Sequence, residues 1–538
     1  MTTRRHFLQA LAAIPTALAL PDTWAVNADT SRLALVIGNG AYRDAPLANP
    51  VNDGRAMAEL IGRAGFTVSA LQDASRADMI TAIQRFGDIV RRPETREVIF
   101  YYAGHGAQLD WRNYLLPIDA EVNSAEEIKQ RCIDLGQLLG EFGEARGKTF
   151  IIILDACRNN PFGKTFRPQQ KGLSQFDAPA GSLLAYATAP GQVASDGAGK
   201  NGLYTENLLR EFSRHGTRIE DALKRVRLNV RLASQGLQIP WETTSLETDV
   251  YLFSNGDRKL SASELEQQIE ADLAAWGAIK SSQKIEDWAD YLRNFPNGRF
   301  AEIAQVRLAR LLAAAQKPAA APAAPSPVAD KPAIEIKAGV AVPQLLRPSA
   351  NPYSAGHYPL GRHYTVGDAA TYRESDLLTG IEQRVYTLRV TKVDPEADRV
   401  LINDGMGIMD MMGNIIKQGK KRFDAPRQFT PAEFQVGKKW TAAFVATKRG
   451  GAASIYFDVQ IVRREKVSVP AGTFDAFRIE ARGWNNTRGG QLDTTLWLVP
   501  GVNFPIKHET LTRSRNGQLR DTERHELVEL RQQFFEGG

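Results

Sequence analysis

Between residues 32 and 253, apolar runs of strand length alternate with stretches in which apolar residues recur at helical spacing. The strand-like runs are continuous rather than alternating, which is typical of parallel strands buried on both faces. Strands are predicted at 33–37, 67–71, 98–102, 149–154, 182–187 and, less regularly, 248–253. Helices are predicted at 53–64, 76–90, 134–144, 202–214 and 218–233. This alternation predicts an α/β domain with a mostly parallel sheet flanked by helices.

After this domain the pattern changes three times. Residues 261–315 carry apolar residues at helical spacing with a break at 296–298, and we expect a helical hairpin there. Residues 316–357 are rich in alanine and proline, a composition that cannot bury a core and that predicts an extended linker. Between 358 and 532, short alternating runs separated by glycine and proline predict a β-rich domain, either a sandwich or an open barrel.

The first residues have the features of a targeting segment. The stretch Thr3–Gln9 contains Arg4-Arg5 and resembles the twin-arginine export motif, and the apolar stretch from Ala10 to Leu20 is too short to span a bilayer as a stable helix. We therefore expect residues 1–28 to be a twin-arginine signal peptide that sends the protein to the periplasm or another extracytoplasmic compartment, without a stable membrane span. The alternative is a disordered basic terminus.

Composition and charge exclude some classes of partner. The 538 residues give room for two or three domains, and 43% hydrophobic with 24% charged residues is ordinary for globular protein. The net charge of +6 is modest, and lysine and arginine do not form a concentrated block beside an aromatic platform. Nucleic acid is therefore not an expected partner.

Two of the predicted strands end at reactive side chains. Residues 99–103 are followed by Gly104-His105-Gly106, and residues 150–154 are followed by Asp155-Ala156-Cys157. Sheets of α/β domains place their chemistry at the carboxyl ends of the strands. A histidine beside a cysteine can take the thiol proton, and the thiolate can then attack a carbonyl carbon. The sequence therefore predicts Cys157 as a nucleophile and His105 as its general base.

Another histidine and another cysteine compete for these roles. His215 follows a helical pattern and precedes Gly216, so it is predicted to lie in the last turn of a helix beside a glycine cap. Cys132 precedes a helical pattern and is expected to be a small apolar residue, with a disulfide to Cys157 as the alternative in an oxidising compartment.

Four segments are similar to one known family. Residues 32–39 are similar to its first strand, residues 47–53 open a helix as in that family, and Tyr101–Gly106 and Asp155-Ala156-Cys157 match its histidine and cysteine motifs. The histidine also lies about fifty residues upstream of the cysteine, as in caspases. On these grounds residues 31–254 resemble the caspase-like clan of cysteine peptidases, particularly bacterial caspase-like proteins and metacaspases. We expect a caspase-like domain over residues 31–256.

The resemblance departs from the family pattern after the cysteine and in the pocket. Metacaspases usually have a histidine and then Ser-Gly after the nucleophile, whereas residues 158–162 here read Arg-Asn-Asn-Pro-Phe. True caspases have a basic pocket for aspartate, and no matching arginine motif occurs in this sequence. The expected pocket is therefore the acidic one of metacaspases.

The resemblance implies a cysteine endopeptidase that needs no cofactor or metal ion. The backbone N–H groups of Gly106 and Cys157 would stabilise the oxyanion. Asp53, Asp155 and Asp196 would form an acidic pocket that holds an arginine or lysine before the scissile bond. The alternatives are a helix cap for Asp53, a strand-end acid bonded to backbone for Asp155 and a solvated loop carboxylate for Asp196.

Three functions remain open on the sequence alone. The first is peptide hydrolysis on protein or peptide substrates. The second is a catalytically weak scaffold in the cell envelope, which would bind an envelope protein through the C-terminal domain. The third is a thiol acyl-transfer enzyme with the same two residues. Four methionines between 406 and 412 are interpreted as a hydrophobic turn or edge, with a copper site as the alternative.

Overall fold

The computed structural model describes residues 31–143, 147–156, 162, 172–190, 192, 199–254, 262–316, 334–449 and 451–533. The predicted signal peptide, Cys157, Asp196 and residues 317–333 of the predicted linker lie outside the described residues.

The N-terminal part combines strands and helices in alternation. Its strands are β1 (Arg32–Gly38), β2 (Thr67–Gln72), β3 (Glu97–Ala103), β4 (Gly106–Leu109), β5 (Arg112–Leu115), β6 (Ile133–Asp134), β7 (Thr149–Asp155), β8 (Ser182–Tyr186) and β9 (Trp241–Thr244). Its helices are α1 (Pro50–Arg63), α2 (Arg76–Val90), α3 (Ala125–Arg131), α4 (Leu135–Gly143), α5 (Leu203–Phe212) and α6 (Ile219–Ala233).

Six of these strands form the main sheet in the order β2-β1-β3-β7-β8-β9. The first five run parallel, and β9 runs antiparallel to β8. Every residue of β3 and β7 after the first is buried, which explains their continuous apolar sequences. The predicted mostly parallel sheet flanked by helices is therefore confirmed.

The prediction of a last strand at 248–253 is wrong. The edge of the sheet is β9, and Tyr251 makes only an isolated bridge with Arg218. Val250 and Leu252 are apolar because they pack into the core beside the sheet. Burial against helices and burial in a strand give the same short apolar run, so the sequence does not separate them.

Three helices follow where the pattern indicated a hairpin: α7 (Ala262–Ile279), α8 (Ile285–Asn294) and α9 (Ala301–Gln316). The polar stretch 280–284 separates α7 from α8, so what looked like one helix is two. Trp288 is fully buried, and Trp276 stacks on Phe300 with ring centroids 4.5 Å apart. Of the helices that the structure describes, none has the length and apolar character needed to cross a membrane.

The C-terminal part consists of strands. They are β10 (Ile334–Lys337), β11 (Tyr358–Pro359), β12 (Ala369–Asp376), β13 (Glu382–Asp394), β14 (Arg399–Ile402), β15 (Gly407–Met409), β16 (Ile415–Gln418), β17 (Lys421–Arg427), β18 (Glu433–Phe434), β19 (Lys439–Lys448), β20 (Gly451–Val469), β21 (Gly472–Asn485), β22 (Gly490–Leu498), β23 (Lys507–Arg513) and β24 (Leu519–Gln532).

The predicted β-rich C-terminal domain is confirmed, and its sheet is closed rather than open. Strand β24 pairs with β23 on one edge and with β12 on the other, which joins twelve strands of the described chain into a ring. Closure removes the unpaired strand edges that an open sheet would expose. Phe457, Phe474 and Phe477 are among its fully buried side chains.

The methionines near position 409 do not share one environment. Met409 and Met412 are buried in the core of the closed sheet, whereas Met406 is 67% exposed. The buried pair fits the predicted hydrophobic turn or edge.

Candidate active site

The register of the main sheet brings the two reactive strand ends together. Strands β3 and β7 pair in parallel with Ala103 opposite Asp155, and the N–H of Gly104 donates to the carbonyl oxygen of Asp155 at 3.2 Å. A Cβ atom placed on Gly106 would lie 3.2 Å from the carbonyl oxygen of Ala156. The backbone that leads into Cys157 therefore lies against the turn that carries His105. Cys157 itself is outside the described residues.

His105 is held by two buried tyrosines. Its backbone N–H donates to the Tyr42 hydroxyl at 3.0 Å, and its carbonyl oxygen accepts from the Tyr102 hydroxyl at 2.8 Å. The Tyr42 ring also packs against the imidazole, with centroids 4.5 Å apart. Burial raises the pKa of both tyrosines well above the ordinary value, so both keep the protons that they donate. The histidine backbone is therefore fixed on both sides.

A carbonyl group selects the tautomer of the His105 ring. Its Nε2 atom lies 2.7 Å from the carbonyl oxygen of Ala45. A carbonyl oxygen can only accept a hydrogen bond, so Nε2 carries the proton. In the neutral imidazole, Nδ1 is then the basic nitrogen. His105 is 2% exposed, and the contacts of its ring with the Ala45 carbonyl and the Tyr42 ring hold this orientation.

Gly104 is needed because the tyrosine hydroxyls leave no room for a side chain. Its φ is 155°, and a Cβ atom there would lie 2.6 Å from the Tyr42 hydroxyl and 2.8 Å from the Tyr102 hydroxyl. Both hydroxyls bind the backbone of His105. Any side chain at position 104 therefore disturbs the anchors of the histidine.

We expect Gly104→Ala to lower kcat/KM by about a hundredfold, since a displacement of about 1 Å in a reacting group has an effect of that order. The rate of cleavage of a fluorogenic peptide measures it. Gly140→Ala on α4 is the matched control, because a Cβ atom there meets nothing within 4 Å. A Gly104→Ala enzyme with wild-type turnover would show that the tyrosine contacts do not position His105.

Two of the predicted pocket acids face the beginning of α5. The Oδ1 atom of Asp53 accepts from the Asn201 side-chain amide and from the N–H of Gly202, both at 2.9 Å. The Oδ2 atom of Asp155 accepts from the Thr205 hydroxyl at 2.8 Å. Asp53 is 0% exposed and Asp155 is 2% exposed. The fold thus brings together two carboxylates that are far apart in the sequence.

The same two acids lie around the side chain of Tyr101. The Tyr101 hydroxyl is 2.5 Å from the Thr205 hydroxyl, which in turn donates to Asp155. The pKa of Tyr101 is raised well above its ordinary value, first by burial and then by the charges of Asp155 and Asp53. Paired carboxylates of this kind, beside a helix N-terminus that favours negative charge, can hold a guanidinium or ammonium group.

The hydrogen bonds of these acids can be compared with the alternative roles. Asn49 is the capping position of α1 and makes no side-chain capping bond, while Asp53 accepts from the start of another helix. Asp53 is therefore not a cap of its own helix. Asp155 has a side-chain partner in Thr205. Asp196 is outside the described residues, so its place in the pocket stays a prediction.

The competing cysteine is unsuited to nucleophilic chemistry. Cys132 is 4% exposed in a small apolar cluster, and burial raises the pKa of its thiol to about 12. At neutral pH it is protonated, and a thiol is a poor nucleophile. The chain has two cysteines in all, so Cys157 is left as the candidate.

The competing histidine lies outside the site. Helix α5 ends at Phe212, and His215 follows it as an exposed residue beside the ring of Phe253, with centroids 4.9 Å apart. His215 therefore lies about one turn beyond the end of α5 and not in its last turn as predicted, because Ser213 rather than Gly216 caps the helix.

Sequence reasoning missed four contributors to the site. Ala45 acts through its backbone carbonyl, which every residue has, so no residue type marks it. Tyr42 and Thr205 act through hydroxyls on other elements, and Asn201 lies 148 positions from Asp53. Among the described residues, no group of three or more His, Cys, Asp or Glu side chains could hold a metal ion.

Comparison with known proteins identifies the family that the N-terminal part of the chain matches. Residues 31–251 match the family model of the caspase domain. The human Mucosa-associated lymphoid tissue lymphoma translocation protein 1 is 27% identical over 165 residues, which cover 30% of this chain and 19% of the human protein. Its Mus musculus homologue matches with the same identity and coverage. The match thus spans about a fifth of the length of these relatives, 19% in each, and concerns one domain.

Proposed function

Because residues 31–251 match the family model of the caspase domain, we propose that this protein is a cysteine endopeptidase in which Cys157 is the nucleophile and His105 the general base. The observation that carries the proposal is the setting of His105. Its Nε2 atom is bound to the carbonyl of Ala45, which leaves Nδ1 as the base, and the adjacent turn packs against Ala156. The substrates of such an enzyme are proteins or peptides.

The reaction proceeds in two stages. His105 Nδ1 takes the proton of the Cys157 thiol, and the thiolate attacks the peptide carbonyl carbon. The N–H groups of Gly106 and Cys157 stabilise the oxyanion. The C–N bond then breaks as His105 returns its proton to the leaving amine, and a thioester remains. Water, activated by the same histidine, hydrolyses the thioester and releases the acid product.

The proposed specificity is for arginine or lysine before the scissile bond. Asp53 and Asp155 are buried, lie at the start of α5 and act together on Tyr101. A buried carboxylate pair costs desolvation free energy, and a basic side chain between the two offsets that cost. An aspartate side chain would instead meet like charges. Asp196 is proposed as a third acid of this pocket.

The function is tested with fluorogenic peptides that carry arginine, lysine, aspartate or alanine before the reporter group. Wild type should cleave the arginyl and lysyl peptides, and Cys157→Ala should cleave none. Binding of envelope proteins without cleavage of any peptide would favour the scaffold. Transfer of the acyl group to an added amine in preference to water would favour acyl transfer.

We also propose export through the twin-arginine route, on the basis of Arg4 and Arg5 in the stretch Thr3–Gln9. Replacing both arginines by lysine is expected to keep the precursor in the cytoplasm. Immunoblots of cytoplasmic and periplasmic fractions measure this. Periplasmic delivery of the double variant at the wild-type level would contradict the proposal.

A further inference from the structure

Part of the predicted linker docks onto the caspase domain. We call residues 349–356 the strap. The side-chain amide of Asn351 donates to the Ser174 hydroxyl at 3.0 Å and to the carbonyl oxygen of Gln175 at 2.6 Å. Asn351 is 8% exposed, so these hydrogen bonds are buried. The strap is therefore in specific contact with residues 174–175.

A second set of contacts anchors the strap at Asp177. The carboxylate of Asp177 accepts from the Ser354 hydroxyl and from the N–H of Ala355, both at 3.0 Å. The N–H of Asp177 donates to the carbonyl oxygen of Tyr353 at 3.0 Å. The Tyr353 ring also stacks on Phe176 with centroids 5.0 Å apart. Backbone, carboxylate and ring contacts together fix the strap in place.

The segment that the strap holds reaches residues 104–106, which carry His105 and which we call the catalytic turn. A Cβ atom on Gly106 would lie 2.9 Å from a methyl group of Leu173, so Leu173 packs directly beside that glycine. The next residue, Ser174, exchanges two hydrogen bonds with Asn113 on β5, at 2.6 and 2.8 Å. The chain from 173 to 175 therefore lies between the catalytic turn and the strap.

A cavity of about 370 Å³ lies where these parts meet. The caspase domain contributes Gln108, Trp111, Gln175 and Pro190 to its lining, and the strap contributes Ala350 among others. The polypeptide segments on its two sides are more than 150 positions apart in the sequence. The caspase domain and the strap therefore both line the cavity.

The cavity and the pocket acids lie on opposite faces of the main sheet. Tyr101 points to α5 and the acids, whereas its neighbour Tyr102 points to the other face and donates to the carbonyl oxygen of Leu116 at 2.9 Å. Successive side chains of a strand alternate between faces. Leu116 comes directly after β5, so the hairpin of β4 and β5, which carries Gln108 and Trp111, lies on the face of Tyr102.

One residue of the cavity indicates a ligand. The positive φ of Trp111, 64°, is not that indication, because Asp110 and Trp111 form the two-residue turn between Leu109 and Arg112, and such a turn requires positive φ at both positions. Gln175 is 6% exposed, and its side-chain nitrogen has no hydrogen-bond partner among the described residues. A buried amide nitrogen left without an acceptor is costly, and a bound carbonyl oxygen would satisfy it.

We propose that this cavity is the subsite for the residue that follows the scissile bond. The inference rests on the proposed peptidase function, which assigns the basic residue before the scissile bond to Asp53 and Asp155. The cavity adjoins the turn of His105 through Gln108 and Leu173 and is left for the residue after that bond. An apolar side chain there packs against Trp111 and Pro190. The backbone carbonyl of that residue accepts from the Gln175 amide. The strap thereby makes the C-terminal half of the chain part of the substrate site.

The test compares two arginyl substrates. One is a peptide with a coumarin reporter, which has no residue after the scissile bond, and the other is an internally quenched peptide with leucine there. Ala350→Trp fills the cavity from the exposed side of the strap. It should lower the ratio of kcat/KM for the quenched peptide to that for the coumarin peptide by tenfold or more. Gln175→Leu should lower the same ratio about tenfold by removing one buried hydrogen bond.

Ala397→Trp, at an exposed turn between β13 and β14, is the matched control and should leave the ratio at its wild-type value. Circular dichroism verifies the folding of each variant. Wild type should also prefer leucine to aspartate after the scissile bond. An equal ratio in wild type, Ala350→Trp and Gln175→Leu would overturn the subsite.

A binding experiment separates failure of the subsite from failure of the proposed function. A labelled uncleaved peptide with leucine after arginine is titrated into Cys157→Ala and into Cys157→Ala with Ala350→Trp, by fluorescence anisotropy. Weaker binding by the second protein supports the subsite even if wild type cleaves nothing. Equal binding by the two proteins contradicts the subsite even if wild type is an active peptidase.

Discussion

Replacing Cys157 with alanine is expected to lower kcat on an arginyl peptide by a factor on the order of 10⁴ or more, and His105→Ala should do the same. Nucleophile and base act as one unit, because the thiol is a weak nucleophile until His105 Nδ1 removes its proton. The double variant should therefore be no slower than either single one. Release of coumarin under saturating substrate measures kcat for all three.

The chain offers matched controls for both replacements. Cys132 is buried with a thiol pKa of about 12, so Cys132→Ala removes a thiol that is protonated at neutral pH. His215→Ala removes an exposed imidazole beside Phe253. Both controls should keep wild-type turnover. Near-wild-type turnover by Cys157→Ala or His105→Ala would instead show that the reaction uses other residues.

The second large effect concerns the pocket acids. Asp155→Asn and Asp53→Asn should each lower kcat/KM on arginyl peptides by roughly tenfold to a thousandfold, the range for losing one charge-assisted pair of about 1.5–3 kcal/mol or more when buried. Asparagine keeps an oxygen that can accept from Thr205 or from Asn201 and Gly202. The fold is thus retained while the charge is lost.

Substrate and residue controls distinguish recognition from structural damage. Asp272→Asn changes another buried acid, which accepts from the Tyr291 hydroxyl in the helical segment, and should leave the arginyl rate at its wild-type value. The pocket variants should lower kcat/KM much less for the alanyl peptide than for the arginyl peptide. Equal losses on all peptides would indicate a structural role for these acids, and a wild-type preference for aspartate would refute the basic pocket.

The parallel strands, and the reactive side chains at their carboxyl ends, could be predicted from local sequence. A parallel strand buried on both faces must be apolar along its whole length, and β3 and β7 are so. Because such strands end together at one edge of the sheet, the sequence also predicted that His105 and Cys157 are neighbours. The contacts of Gly104 and Gly106 with residues 155–156 bring the two turns side by side.

Two features of the fold could not be predicted, because their local sequences are compatible with more than one arrangement. The apolar run at 248–253 packs against the core rather than pairing, and the closed sheet required β24 to pair with both β12 and β23. Pairing between strands more than 140 positions apart depends on the whole chain. No local pattern of apolar and polar residues carries that information.

The sequence by itself determined the residue types at the strand ends, since only particular side chains can act as nucleophile, base and counter-charge. The tertiary structure decided how those side chains are held. The carbonyl of Ala45 selects the tautomer of His105, the start of α5 gathers Asp53 and Asp155, and the strap closes a cavity beside Leu173. The physical reason is that backbone groups are the same in every residue and acquire a role only when the fold places them.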